Sequence, residues 1–583
     1  MIRYFCKRAR NMKTVFHYLR TYRKQAICAP IFKLLEALMD LFVPLIVAWI
    51  INQGIHQHHT HVIGQGTILL IILAAMGFGF SIVAQFFAAK AAVGTTTDLR
   101  QAMFDHIQSL SYKEIDTLGV NTLITRMTSD MQQVQTGINM SLRLLLRSPF
   151  IVFGSMIMAF FINVKCALIF TVAIPVLSVV IYVIMRISIP LFKKVQSHLD
   201  TLLGMTRDNL SGVRVIRAFC KENDEISSFD KQNDIFTNAN EFLGKISALI
   251  NPFTYIIINF AIIILLNVGA IQIQGGYMAQ GDMVALYNYM AQIIIELIKL
   301  ASLIVTIDKS IACSQRIEAI MDTNNDMHYE TKSIQIQSAQ AVIFDHVSFA
   351  YDTKNVIHDM SFTVSKGATI GVIGPTGSGK STIMQLMGRY YEINQGKIFI
   401  DGANVQTYPR EQLTSKIGYV AQGSVLFSGT IRENLKWGNP NADDASLWRA
   451  LEIAQAKEVV ANKPGQLDFV LEQGGKNLSG GQRQRLTIAR ALVKQPDILV
   501  LDDSASALDF KTDANLRKAL RTLSDKMTIF IVSQRISSIR YANSILVLDQ
   551  GHLVGSGTHA QLMKNCSVYQ EIFASQYPKE AIA

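Results

Sequence analysis

The pattern of apolar and polar positions divides the chain at about residue 310. Before that point, six apolar stretches are long enough to cross a bilayer, at 27–51, 67–93, 138–162, 166–188, 246–272 and 283–306. Beyond it, short alternating runs rich in β-branched and aromatic residues begin at Ala341 and give way to strand–loop–helix units. The pattern predicts an α-helical transmembrane domain of six spans with long cytosolic helical extensions, followed by an α/β domain. Its expected boundaries are a basic N-terminal segment at 1–25, the membrane domain at 26–319, a linker at 320–340 and the α/β domain at 341–583. The linker opens on the polar run Asp322-Thr323-Asn324-Asn325-Asp326.

Loop length and charge orient the spans. The connections after the first, third and fifth are short, at 52–66, 163–165 and 273–282, and Lys165 is their only Lys or Arg. Those after the second and fourth, at 94–137 and 189–245, are long and helix-patterned, and the second is rich in Lys and Arg. The positive-inside rule therefore places both termini, both long loops and the α/β domain in the cytosol, in a multi-pass cell-membrane protein whose solvent is the lipid bilayer. Helical periodicity breaks at Tyr112–Gly119 and Ser211–Lys221, which are expected either to dock on the soluble domain or to be ordinary loop helices.

Composition agrees with lipid as solvent: 50% of residues are hydrophobic, 17% are charged, and the mean hydropathy is +0.25. The net charge of +11 does not imply nucleic acid, because no such binding motif accompanies it. Arg3, Lys7, Arg8, Arg10, Lys13, Arg20, Arg23 and Lys24 precede the first apolar stretch with no acidic residue among them, as a cytosolic flank should. The apolar stretch is too long, and too interrupted by Lys33, Glu36 and Asp40, for a cleavable signal peptide. Six scattered cysteines without CxxC spacing are expected to be reduced thiols.

Chemistry concentrates in the α/β part. Gly374-Pro375-Thr376-Gly377-Ser378-Gly379-Lys380-Ser381-Thr382 lies between an apolar strand and a helix, the context that a phosphate-binding P-loop requires. Its glycines let backbone N–H groups close on phosphate oxygens. Lys380 is expected to reach the β- and γ-phosphates of ATP, and Ser381 to coordinate Mg²⁺. The apolar strand Ile498-Leu499-Val500-Leu501 ends in Asp502, where a carboxylate can hold Mg²⁺ through water. Between these motifs lie Val420-Ala421-Gln422 and Leu478-Ser479-Gly480-Gly481-Gln482.

With these motifs the chain resembles the ATP-binding-cassette (ABC) exporters over nearly its whole length. Six spans followed by one cassette is the half-transporter arrangement, and the resemblance implies an ATPase coupled to transmembrane movement. It also implies that Tyr351 stacks on adenine and that Gln422 senses Mg²⁺ and water. By the same resemblance, Ser506-Ala507-Leu508-Asp509 is the D-loop, and Glu472-Gln473-Gly474-Gly475 makes a cross-contact. Leu478–Gln482 becomes the signature that completes the ATP site of a second cassette paired head to tail.

Two residues depart from the family pattern. Asp503 stands where a fast ATPase carries Glu, and Gln534 stands where it carries the switch His. The Asp503 carboxylate is one methylene short, and a 1 Å misplacement of a base can cost about 10²-fold. The Gln534 amide can donate to a phosphate but cannot take up a proton. The expectation is a slow ATP site, in a heterodimer with a second half-transporter that retains the catalytic Glu and switch His. The cargo expected by resemblance is a small amphipathic molecule of the multidrug type. A slow homodimer exporting lipid or peptide, or an ATP-gated channel-like protein, uses the same parts. An importer is disfavoured by the fused domains, and a soluble cassette protein by the six spans.

Within the spans, Glu296 and Lys299 share a helical face and are expected either to line the substrate path or to form a structural pair. Arg143 and Arg147 are expected to snorkel to the cytosolic interface. His56, His58, His59 and His61 in the first external loop read as solvated rather than metal-binding.

Overall fold

A computed structural model describes residues 13–577 except 326, 328, 331–333, 335, 337, 505, 524 and 525. Arg3, Cys6, Lys7, Arg8 and Arg10 and the linker residue Asp326 lie outside the described residues. The chain forms two compact units, Met1–Gln108 with Gly119–Thr323, and Ser109–Leu118 with Asn324–Ala583.

The first unit is helical. Among the described residues, six helical segments meet the length and hydropathy needed to cross a membrane: Lys13–Ile55, Thr60–Ser109, Val120–Ile162, Val164–Ser211, Glu222–Gln274 and Gln280–Met321. Each has 42 to 53 residues, about twice the length needed to span hydrocarbon, so the helices continue well past their apolar stretches. The expected breaks in periodicity are real. Short helices at Tyr112–Leu118 and Val213–Ala218 replace the long ones there, with Gly119 at φ +75° and Gly212 as the turn points. Phe170, Leu177, Leu265, Tyr289, Met290 and Ile293 form the buried centre of this unit, and Tyr289 donates its hydroxyl to the Leu41 carbonyl at 2.6 Å. At the end of the first span, Asn52 accepts from the Gly281 N–H at 2.7 Å and donates to Asp282 at 3.0 Å. Only glycine fits at 281, since a Cβ there would meet the Ala48 carbonyl oxygen at 2.4 Å.

The second unit is α/β. Strands β1 (Gln340–Ala350), β2 (Asn355–Ser365), β4 (Gln395–Ile400) and β5 (Ala403–Asn404) form an antiparallel sheet in the order β2-β1-β4-β5. The main sheet has the order β12-β11-β3-β10-β9-β6, built from β3 (Thr369–Ile373), β6 (Ile417–Val420), β9 (Ile498–Asp502), β10 (Thr528–Val532), β11 (Ser544–Asp549) and β12 (His552–Gly557). All its pairings are parallel except β11 with β12. A small ribbon joins β7 (Gly429–Thr430) to β8 (Val470–Leu471). Val372, Val500 and Phe530 are fully buried in the central strands, which explains their continuous apolar runs.

Ser109–Leu118 belongs with the α/β unit rather than with the helices that flank it in sequence. The reason is aromatic packing. Tyr112 stacks on Tyr390 with ring centroids 4.9 Å apart, and Asp116 accepts from the Tyr391 hydroxyl at 2.5 Å. Ser111 and Glu114 close the start of the short helix, the Ser111 N–H donating to Glu114 at 3.0 Å.

Candidate nucleotide site

The parallel strands set the site. In open α/β sheets ligands gather at the carboxyl ends of the strands, and β3, β9 and β10 release their residues on the same side. Asp502 and Val532 are paired in register, so Asp503 and Gln534 emerge beside each other just beyond that edge. A cavity of about 280 Å³ opens there. Its lining includes Thr376, Gly377, Gly379, Lys380, Ser381, Thr382, Gln422, Asp502, Asp503 and Gln534.

The loop from β3 into the helix Lys380–Met387 depends on glycine at three points. Gly377 and Gly379 have φ of +83° and +92°. A Cβ at Gly374 would lie 2.1 Å from the Leu548 carbonyl oxygen, so the backbone runs against β11 with no room to spare. The Lys380 ammonium donates to the carbonyls of Gly374 at 2.8 Å and Pro375 at 2.7 Å. Burial lowers its pKa, opposed by the charges of Asp503 and Asp502. The hydroxyl of Ser378 is buried without a partner inside the loop.

Asp502 is 2% exposed and accepts two hydroxyl hydrogen bonds, from Ser381 at 2.9 Å and from Tyr419 at 2.8 Å. Burial raises its pKa against those bonds and the nearby Lys380. Asp503 is raised as well, by burial and then by Asp502. It sits in the left-handed region at φ +48°, which aspartate tolerates better than most residues. The Gln422 side-chain amide donates to it at 3.4 Å. The exposed Gln534 is held through its backbone carbonyl, which accepts from Gln576 at 2.7 Å.

This donor set fits nucleotide and metal. A buried carboxylate and a serine hydroxyl held together supply the hard oxygen ligands that Mg²⁺ prefers, and a ring of backbone N–H groups with one ammonium suits phosphate. Tyr351 stands at the side of the loop, 41% exposed, with its hydroxyl on Gln385 at 2.9 Å and Thr382 at 3.2 Å.

The signature residues are not in this cavity. Ser479 caps the helix Gly480–Val493 through a reciprocal box with Gln482, its hydroxyl accepting from the Gln482 N–H at 3.3 Å. A Cβ at Gly481 would lie 2.9 Å from the carbonyl oxygen of Ala507, so signature and D-loop adjoin. Ser506 ties the D-loop back to the site by donating to the Asp503 carbonyl at 2.7 Å, and Asp509 caps the helix Phe510–Arg521. Gly474 and Gly475 take positive φ just before the signature. Tyr419 was not foreseen from the sequence. Its place on β6, the strand that pairs with β9, is the signal that could have found it.

In the membrane unit, Arg147 does not snorkel. Its side chain is 11% exposed and pairs with Glu296 at 2.6 Å and Asp40 at 2.9 Å. Its guanidinium is drawn inward because Glu296, 4% exposed, has no water to replace it. Glu296 also accepts from Ser148 at 2.8 Å and Lys299 at 2.9 Å, and Lys33 binds Glu36 at 2.5 Å. Three acids (Glu36, Asp40, Glu296) and three bases (Lys33, Arg147, Lys299) thus gather on the first, third and sixth spans. Among the described residues, no group of His, Cys, Asp and Glu is arranged to hold a metal ion, the first external loop included.

Residues 26–297 match the family model of the ABC transporter transmembrane region, and residues 357–506 match the ABC transporter model. The chain is 36% identical over 572 residues to the uncharacterized ABC transporter ATP-binding protein YfiB of Bacillus subtilis, covering 98% of this chain and 99% of that one. The chain belongs to the ABC transporter family. The uncharacterized ABC transporter ATP-binding protein Rv1273c of Mycobacterium tuberculosis is 34% identical over 566 residues, covering 96% of this chain and 97% of its own. In fold the chain matches a bacterial Atm1-family ABC exporter solved with ATP bound, with a TM-score of 0.77 at 24% identity over 95% of this chain and 98% of that one. This ABC protein is thus a multi-pass membrane half-transporter with a cytosolic cassette and an ATPase coupled to transport.

Proposed function

We propose that this ABC protein is the slow-site half of an ATP-driven heterodimeric exporter for small amphipathic molecules. Its own loop would hold ATP and Mg²⁺ through Lys380, Ser381 and Asp502. Its signature, Leu478–Gln482, would complete a faster site on a different half-transporter bearing Glu and His. Bound Mg²⁺ would neutralise phosphate charge, while the loop's backbone N–H groups and the named side chains would hold and orient the nucleotide.

The observation that carries this reading is the pair of residues at the ends of β9 and β10. Asp503 has the shorter carboxylate, and the Gln422 amide already donates to it at 3.4 Å. Beside it, Gln534 offers an amide where a titratable imidazole would polarise the γ-phosphate. A base displaced by about 1 Å loses about 10²-fold in rate. The binding elements are intact while the hydrolytic ones are weakened, and this combination favours nucleotide retention over turnover. The outward placement of the signature, away from the chain's own cavity, supports a site shared with a second cassette. Glu296 and Lys299 are proposed to touch the substrate path through Lys299, the more exposed of the two at 43%.

The test is ATPase activity of the chain purified alone and with a half-transporter encoded nearby, with amphipathic molecules as stimulants. The expected result is slow turnover alone, faster turnover in the pair, and little further loss on Asp503→Asn. Brisk activity of the chain alone that Asp503→Asn abolishes overturns the slow-site reading.

A further inference from the structure

The Asp502 carboxylate has two hydrogen-bond donors, and one of them belongs to no recognised ATP-site motif. Ser381 holds one oxygen at 2.9 Å, and Tyr419 holds the other at 2.8 Å. The Lys380 ammonium is engaged with loop carbonyls. At 2% exposure, Asp502 has no water to replace either hydroxyl. The Tyr419 hydroxyl therefore helps set the plane in which this carboxylate faces Ser381.

The Tyr419 ring has a second contact. Tyr390 stands edge-on to it, centroids 5.5 Å apart at 83°, and Tyr390 in turn stacks on Tyr112 at 4.9 Å. A parallel track starts at the loop helix. The Tyr351 hydroxyl meets Thr382, its ring stands edge-on to Tyr391 at 5.0 Å, and Tyr391 donates to Asp116. Both tracks end on the short helix Tyr112–Leu118, one turn apart. That helix follows the second span directly in sequence.

We propose that Tyr419 is a positioning residue for Asp502, and that its ring contacts through Tyr390 to Tyr112 report the state of that carboxylate to the segment 109–118. The proposal rests on the reading of this cavity as the nucleotide site. A ring alone would satisfy the packing against Tyr390, so the hydroxyl is spent on Asp502. Rings in edge and stacked contact transmit displacement because the packed interior has little slack. When Asp502 shifts toward a bound cation, the Tyr419 hydroxyl follows it, keeps its hydrogen bond and draws the ring along Tyr390. Spatial continuity alone does not establish coupling, so the test perturbs each link separately.

The experiment uses the full chain in detergent, with AMP-PNP held fixed and Mg²⁺ titrated. Thermal shift reports binding, and hydrogen exchange of the 109–118 backbone reports the segment. In the unaltered chain, Mg²⁺ with AMP-PNP is expected to raise the melting temperature and to change exchange at 109–118. Tyr419→Phe should raise the half-saturating Mg²⁺ up to about tenfold, because the cation must then order a carboxylate that the hydroxyl no longer holds in place. Tyr390→Leu should leave that concentration unchanged and abolish the exchange response, while Tyr390→Phe should keep both. An unchanged Mg²⁺ requirement in Tyr419→Phe, or a persistent response in Tyr390→Leu, overturns the proposal and leaves the nucleotide site standing. Absence of any thermal shift in the unaltered chain overturns the nucleotide reading itself.

Discussion

Replacing Arg147 with methionine removes a cation from a largely enclosed charge cluster in the membrane unit. The guanidinium, 11% exposed, donates to Glu296 at 2.6 Å and to Asp40 at 2.9 Å. Glu36, Asp40 and Glu296 would then face only Lys33 and Lys299, and the formally neutral group of six would become a group of five with one excess negative charge. Breaking a buried ion pair by removing one partner costs about 3–5 kcal/mol, chiefly because the other charge is stranded. The double replacement Arg147→Met with Glu296→Gln restores neutrality and strands less. It should therefore recover about 2 kcal/mol relative to the sum of the single changes. The assay is thermal unfolding of the detergent-solubilised chain followed by size-exclusion chromatography, with the cassette transition as internal reference because the chain has more than one domain. The single variant should melt roughly 5–10 °C lower, and the double variant between it and the unaltered chain. A single variant that melts with the unaltered chain, or losses that simply add in the double, would refute the inward placement of Arg147 and restore the snorkelling picture.

Two further outcomes follow from named contacts. Burial works against the charge of Asp401, but hydrogen bonds from Lys416 and Lys366 more than offset it, holding its pKa below the usual aspartate range. Such a depressed group stabilises the fold above the unfolded value of about 3.9 and loses that contribution as pH falls through the folded value. Asp401→Asn should accordingly lower the cassette melting temperature at pH 7, with a gap to the unaltered chain that narrows in acid. Gly281→Val should lower the yield of folded protein in the membrane, read as monodisperse protein on size exclusion, because even its first side-chain carbon would overlap the Ala48 carbonyl oxygen. Gly276→Val, at a position where a Cβ meets nothing within 4 Å but φ is +76°, separates backbone strain from that overlap and should cost less.

Local chemistry was readable in the chain wherever one short segment carries it. The phosphate loop is contiguous from Gly374 to Thr382, and its strand and helix flank it directly, so its residues and their side of the sheet followed from one stretch. The spans were legible because lipid demands uninterrupted apolar length, and the broken periodicity at Tyr112–Gly119 marked a real change of helix. What escaped was long-range pairing. Arg147 and Glu296 are 149 positions apart, and no local pattern announces that they meet. The same holds for Tyr419 and Asp502, 83 positions apart on neighbouring strands. The assignment of Ser109–Leu118 to the cassette depends on two tyrosines that lie far away in sequence, at 390 and 391.

The cluster of six charged groups that includes Arg147 has an electrical consequence. Carrying one elementary charge across a potential of 100 mV takes about 2.3 kcal/mol, so even a single uncompensated group would tie any rearrangement at that depth to the voltage of the cell. Three cations and three anions that travel together do no net electrical work. A cluster of this composition therefore adds no voltage dependence of its own to the transport cycle.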